Sequence, residues 1–279
     1  SGNNFQGTGA IAIGDQSGYC GQGFGSIAIG VQSGYCGQGT GAIAIGYQAG
    51  YTGQRSQTVA IGYQAGNNQG VYNIVNSWFN PFGTGVNNNC YIMTTIEDIL
   101  YVGGDFTSVN GNAWNYIAAF NTITSTWFNP FSTGLNAGCV ALAGIGNILY
   151  VGGSFTSVNG NAWNYIAAFN TLTNTWFNPF GTGLNNVCYT IITIGNILYI
   201  GGNFTSVNGN SWNRIATFNT INNTWYNPFG TGLDNWCYRM IIIYNILYVG
   251  GAFTSVNGNA WNCVAAFNTI TNTWFNPFG

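Results

Sequence analysis

Ile148-Leu149-Tyr150-Val151-Gly152-Gly153 is the stretch on which the reading of this chain turns. The same apolar run closed by a glycine pair begins again at Ile99, Ile197 and Ile246, a constant period of 49. Cys90, Cys139, Cys188 and Cys237 keep this phase, as do Trp78, Trp127, Trp176, Trp225 and Trp274. A fixed period of this length marks stacked supersecondary units. Outward from the quoted stretch, one unit reads as four strands: Cys139–Ile145, Ile148–Val151, Tyr165–Asn170 and a short one carrying Trp176-Phe177. Gly146-Asn147, Gly160-Asn161 and Asn178-Pro179 supply the turn signals between them. Four complete units follow a half unit, Val71–Phe82.

The first part of the chain has a different period. Ala10-Ile11-Ala12-Ile13-Gly14 returns, with small changes, at 26–30, 42–46 and 58–62, a step of 16. Each copy is a short alternating strand and a glycine-rich turn, with Ile11 and Ile13 on one face and Ala12 on the other. Stacking puts Ile11, Ile27, Ile43 and Val59 in one ladder and Ile13, Ile29, Ile45 and Ile61 in a second. The alanine column Ala12, Ala28, Ala44 and Ala60 is expected to leave a flat face that another backbone can approach closely. The fold class expected is all-β: a parallel β-roll over residues 1–70, then β-propeller-type blades over 71–279.

The 16-residue motif resembles the head repeats of trimeric autotransporter adhesins, and similar repeats occur in surface proteins of giant DNA viruses. That resemblance implies a left-handed parallel β-roll with three chains side by side. The 49-residue unit resembles the kelch motif and extracellular propeller repeats, in which apolar residues, a glycine pair and a distant tryptophan recur. It implies blade architecture and says little of function, because propellers host many functions. Kelch domains have about six or seven blades, against four complete units here.

Composition removes many functions. Only 3% of residues are charged, with 3 Lys+Arg, 5 Asp+Glu and no histidine, against about 25% in an ordinary domain. The cations are Arg55, Arg214 and Arg239, so lysine is absent. Such a surface cannot neutralise a phosphate backbone, which argues against nucleic acid as a partner. Without histidine and lysine there is no Ser-His-Asp triad, imidazole metal site or Schiff base. No apolar run reaches the ~18 residues of a membrane span, so no membrane insertion is expected. The chain opens at Ser1-Gly2, which suggests a processed or partial chain. The scarcity of trypsin sites suits an extracellular or virion-surface setting.

Candidate sites are few. The four periodic cysteines read either as a thiolate ring for a soft metal or as small apolar residues in a packed inner strand; tight Cys-x-x-Cys pairs are absent, and the packing reading is preferred. Cys20 and Cys36 occupy equivalent places in successive coils. Strands about 4.8 Å apart would let them form a disulfide. For a ligand, the best candidates are the loop residues Trp114, Trp163, Trp212 and Trp261 with Asn112, Asn161, Asn210 and Asn259, since rings stack on sugars and amides bond hydroxyls. The alternative is that these tryptophans pack between blades. Asn203 and Asn222 open glycosylation sequons. A glycosidase pair could come only from Glu97, Asp98 and Asp105, and the same carboxylate count speaks against calcium.

The expected function is therefore a non-enzymatic structural or adhesive surface protein, a fibre, spike or capsid-surface component, with no catalytic residue, metal or cofactor. A lectin-like carbohydrate-binding module is the alternative, and a glycan-active enzyme the third reading. The expected partners are copies of itself, as a trimer or a filament, and glycans or a host surface.

Overall fold

A computed structural model describes residues 4–66 and 80–277. The chain divides into two compact units, 1–79 and 80–279, and no helix occurs among the described residues. The change of architecture expected at 70/71, and all but the last three residues of the half unit Val71–Phe82, lie outside the described residues.

The first unit is built from three-residue strands: β1 (Asn4–Gln6), β2 (Ile11–Ile13), β3 (Cys20–Gln22), β4 (Ile27–Ile29), β5 (Cys36–Gln38), β6 (Ile43–Ile45) and β7 (Val59–Ile61). They form two parallel sheets, β1-β3-β5 and β2-β4-β6-β7. Ile11 pairs with Ile27, Ile27 with Ile43 and Ile43 with Val59, so each partner lies one repeat away. This is a parallel solenoid. Its turns need glycine: Gly30 has φ +125°, and a Cβ there would come within 2.5 Å of the Gly46 carbonyl. The interior is partly polar. Buried Gln22, Gln38 and Gln54 donate their Nε2 to the carbonyls of Ile11, Ile27 and Ile43 at 2.7–2.8 Å, which gives the buried amides partners inside the coil.

One expectation is corrected here. The alanine column does not present an outer face: Ala28 and Ala44 are fully buried, and Ala44 and Ala60 pack with Ala49 inside the coil. A coil of 16 residues encloses only enough space for methyl groups and the glutamine amides. The isoleucine ladders consequently point outward, with Ile11, Ile13, Val59 and Ile61 exposed.

The second unit holds four antiparallel four-stranded meanders. Sheet 1 is β8 (Cys90–Ile96), β9 (Ile99–Gly104), β10 (Ile117–Asn121) and β11 (Thr126–Phe128). Sheet 2 is β12 (Cys139–Ile145), β13 (Ile148–Gly153), β14 (Ile166–Asn170) and β15 (Thr175–Phe177). Sheet 3 is β16 (Cys188–Ile194), β17 (Ile197–Gly202), β18 (Ile215–Asn219) and β19 (Thr224–Tyr226). Sheet 4 is β20 (Cys237–Ile243), β21 (Ile246–Gly251), β22 (Val264–Asn268) and β23 (Thr273–Phe275). The first strands of successive sheets pack on one another.

Two contacts join each sheet to the next. The thiol of Cys139 lies over Gly103, that of Cys188 over Gly152 and that of Cys237 over Gly201; a Cβ at any of these glycines would stand 2.5–2.6 Å from the sulfur. The second link is aromatic. The indole of Trp176 donates to the Phe131 carbonyl at 3.1 Å, and the Phe131 ring lies 4.7 Å from Phe169 and 5.6 Å from Trp176. The same set repeats with Phe180 and Trp225 and with Phe229 and Trp274. Three of the core clusters therefore lie between sheets: Tyr101, Ile117 and Ala119 of sheet 1 pack with Cys139, Leu149 and Val151 of sheet 2.

Gly201→Ala is expected to destabilise the second unit by about 2–3 kcal/mol, the upper part of the overpacking range, measured by denaturant unfolding. Adding Cys237→Ala to that variant should recover part of the loss, because the sulfur is the nearest obstacle.

Candidate binding site at the bulged strands

Each of β8, β12, β16 and β20 carries a register shift just after its cysteine, between Cys90 and Ile92, Cys139 and Ala141, Cys188 and Thr190, and Cys237 and Arg239. A bulge of this kind leaves one residue unpaired and re-aims its side chain. The unpaired residues are Tyr91, Val140, Tyr189 and Tyr238, and these four with Arg239 line a single cleft of about 340 Å³. All four sheets thus contribute to one site, sheets 1 to 3 one residue each and sheet 4 two.

The cleft is aromatic and open. The Tyr189 and Tyr238 rings are 5.7 Å apart, and Trp236 lies 6.4 Å from Tyr189 and 5.8 Å from Tyr238. Tyr91, Trp236 and Tyr238 are exposed. Arg239 donates Nη1 to the Tyr189 carbonyl at 3.1 Å and the Tyr238 carbonyl at 2.9 Å, which holds its guanidinium at the rim. The Tyr91 hydroxyl donates to Asp105 Oδ2 at 2.6 Å. Partial burial, then the neighbouring Tyr238, push the Tyr189 hydroxyl above its ordinary value, so it is a neutral donor at any physiological pH. Aromatic faces, hydroxyls and one guanidinium can stack on a pyranose and bond its hydroxyls or a carboxylate.

Sequence reasoning missed this site. Its signals were departures from the repeat: Trp236 stands where sister units have Asn89, Gly138 and Val187, and Arg239 where they have Ile92, Ala141 and Thr190. The residues that sequence reasoning favoured lie elsewhere. Trp114, Trp163, Trp212 and Trp261 are half-buried, each against a different core cluster. Asn112, Asn161, Asn210 and Asn259 are exposed and close turns, their backbones exchanging two hydrogen bonds with Val109, Val158, Val207 and Val256. In the first of these turns Asn110 and Gly111 both have positive φ, as a two-residue hairpin loop requires. The structure does not bring these eight residues into one site.

The cysteines divide in two groups. Cys139, Cys188 and Cys237 are buried, and burial pushes all three thiols up, Cys188 to about 12; they are uncharged packing groups. Among the described residues no three His, Cys, Asp or Glu side chains stand where they could hold a metal. Cys20 and Cys36 are joined as a disulfide between neighbouring coils, with Cα atoms 4.6 Å apart. A cross-link closing a loop of this length stabilises by about 3 kcal/mol.

The three acids are not gathered in one place. Glu97 and Asp98 make the turn into β9, whereas Asp105 follows its far end, roughly 20 Å along the strand at ~3.3 Å per residue. Of the sequons, Asn203 is half-buried and accepts from Arg214 through its carbonyl and side-chain oxygens. Asn222 is exposed in the turn between β18 and β19, where its Oδ1 accepts from the Thr224 hydroxyl at 2.6 Å.

No protein-family model matches the chain, and no curated protein is similar to it. Two solved structures of computationally designed proteins are similar in part. Ika4 shares 12% identity at a TM-score of 0.44, covering 67% of this chain and 94% of its own. Ika8 shares 11% at a TM-score of 0.41, covering 67% of this chain and 60% of its own.

Asp234 is expected to add an acid-sensitive contribution to the stability of the second unit. In the other sheets an asparagine (Asn87, Asn136, Asn185) accepts two backbone amides; Asp234 accepts those of Thr254 and Ser255 and also the Thr254 hydroxyl at 2.6 Å. Slight desolvation pushes its carboxyl up, but these bonds outweigh it and hold the carboxyl below its ordinary value. Stability from this group is therefore full above the unfolded value of about 3.9 and lost as pH falls through the depressed folded value. Asp234→Asn is expected to remove that part of the acid loss, read by thermal unfolding between pH 5 and pH 2, about the span over which such a group titrates.

Proposed function

We propose that this chain is a non-enzymatic structural and adhesive surface protein, extracellular or on a virion, that assembles with copies of itself through the solenoid. The carrying observation is the outward turn of the two isoleucine ladders. Ile13, Ile61 and Val59 are exposed, as are Phe24 and Tyr63, on a unit with almost no charge, and apolar stripes of this kind mark interaction surfaces. A trimer side by side, as in the adhesin heads that the motif resembles, covers the ladders along their length. The four sheets are read as propeller-type blades, brought together in several copies by that assembly, where several weak contacts add up to avidity. A disulfide between coils suits an oxidising exterior.

The test is mass in solution. Ile29→Asp with Ile45→Asp is expected to convert an oligomer to monomers in light scattering while the β-type circular dichroism remains. An unchanged mass, or a wild-type monomer, would overturn the reading.

The aromatic cleft favours a second reading, a lectin-like module in which Tyr238 and Trp236 stack on a sugar and Arg239 selects acidic ones. On a glycan array, binding is expected to weaken at least tenfold in Tyr238→Ala and to lose its preference for carboxylate-bearing glycans in Arg239→Ala. An array with no bound glycan would remove this reading.

A further inference from the structure

In every sheet the turn between the third and fourth strands holds one aliphatic residue out into solvent. Ile123, Leu172, Ile221 and Ile270 occupy the same place in the four repeats and are 70–74% exposed. Sheets 2 and 3 have a neighbouring sheet on either side, and Leu172 and Ile221 are as exposed there as Ile123 and Ile270 are in sheets 1 and 4. The exposure is thus a property of the turn. The turn is also firmly held. Asn121 Oδ1 accepts the amides of Ile123 at 3.0 Å and Thr124 at 2.9 Å, and Asn170, Asn219 and Asn268 accept those of Leu172, Ile221 and Ile270 in the same way. Thr122 donates its amide and its hydroxyl to the Asp98 carbonyl at 2.9 and 2.8 Å, which ties the turn to the one between the first two strands. Equivalent threonine bonds are made in the other three sheets. The aliphatic side chains therefore cannot fold back without breaking these bonds.

The four tips lie at one end of the second unit. In an antiparallel meander the turns after the first and third strands share an end, and the cysteine–glycine contact relates each sheet to the next in the same way three times. At this end Tyr244, in the turn after β20, is 91% exposed. Glu97 and Asp98, in the turn after β8, are its only charged side chains among the described residues. Arg214 precedes the first residue of β18 and Arg239 is the third residue of β20, so both cations of the unit stand towards the opposite end.

We propose that this end rests on a zwitterionic lipid surface, with the four aliphatic tips and Tyr244 entering the headgroup layer. The apolar residues are single, on four separate turns, each among threonine and asparagine. A protein partner takes a contiguous apolar patch, whereas a bilayer admits separate side chains between its headgroups and buries them at the acyl boundary. Tyrosine suits that level, with an apolar ring and a wet hydroxyl. Charge selects the lipid: an anionic leaflet draws basic segments, and an end with two carboxylates and no cation is repelled by it, while the outermost ammonium groups of a zwitterionic surface attract it. Each tip is a weak contact, and four on one frame add up. The contact is peripheral and spans nothing. It goes beyond the assembly proposed above and uses neither the isoleucine ladders nor the aromatic cleft.

The test is co-sedimentation of the full chain with phosphatidylcholine vesicles. The wild type is expected to bind, and Leu172→Ser to weaken binding roughly tenfold, the loss of one partly buried aliphatic side chain. Ile123→Ser, Leu172→Ser, Ile221→Ser and Ile270→Ser together should abolish it at an unchanged unfolding temperature, since only exposed side chains are replaced. Substituting phosphatidylserine for part of the phosphatidylcholine should weaken binding, and Glu97→Gln with Asp98→Asn should remove that loss. A wild type that does not bind, a fourfold variant that binds as well as the wild type, or tighter binding to phosphatidylserine would overturn the proposal. So would a lower oligomer mass of the fourfold variant without vesicles, which would assign the tips to a second copy, or a sugar on Asn222 of the native protein, which would hold Ile221 off the surface.

Discussion

A sulfur atom resting on a bare backbone is the contact on which the second unit depends. Cys139, Cys188 and Cys237 each fill the space that a side chain on Gly103, Gly152 or Gly201 would need. Sheets packed through ordinary side chains stand about 10 Å apart; a glycine facing a small thiol lets the inner strands approach more closely while the outer strands stay spread. The wider end is filled by aromatic residues instead, where Phe131, Phe180 and Phe229 wedge between a phenylalanine and a tryptophan of the following sheet. Small inside and large outside gives each pair of sheets a taper. The second glycine of each pair has a different duty: a Cβ on Gly153 would stand 2.1 Å from the Gly138 carbonyl.

The solenoid solves the opposite problem, a coil too thin for an apolar core. Polar residues are used as its framework. Gln32 donates to Gln16, Gln48 to Gln32 and Gln64 to Gln48 at 2.8–2.9 Å, a ladder parallel to the coil axis. Tyr19, Tyr35 and Tyr51 stack at 4.9–5.2 Å in the same direction. Neutral ladders repeat without the repulsion that identical charges one coil apart would suffer. This offers a physical reason for a 3% charged chain: in a stack of near-identical copies a charge at one position tends to meet itself.

The cleft follows from the same inner strands. The bulge after each cysteine allows the cysteine to face the neighbouring sheet and the next residue to face the shared opening, two directions that strict alternation would not provide. Packing and ligand contact are thereby assigned to adjacent residues, and Val140 at one of the four places makes the opening unequal on its sides.

Much of the architecture was legible in the residues. The strand read as Cys139–Ile145 has those bounds in the structure, and the two-residue turn at Gly146-Asn147 follows it. Alternation and glycine are local signals, and each was repeated often enough to fix the phase. Alternation states that Ile11 and Ala12 face opposite ways, but not which of them faces inward. That was decided by the width of a 16-residue coil, a property of the closed turn. Nor could the sequence show that Tyr91, Tyr189 and Tyr238 share one cleft while Trp114, Trp163, Trp212 and Trp261 do not. A bulge shifts the pairing by one residue without any residue type that announces it, and convergence of strands 49 residues apart is a fact of packing between sheets.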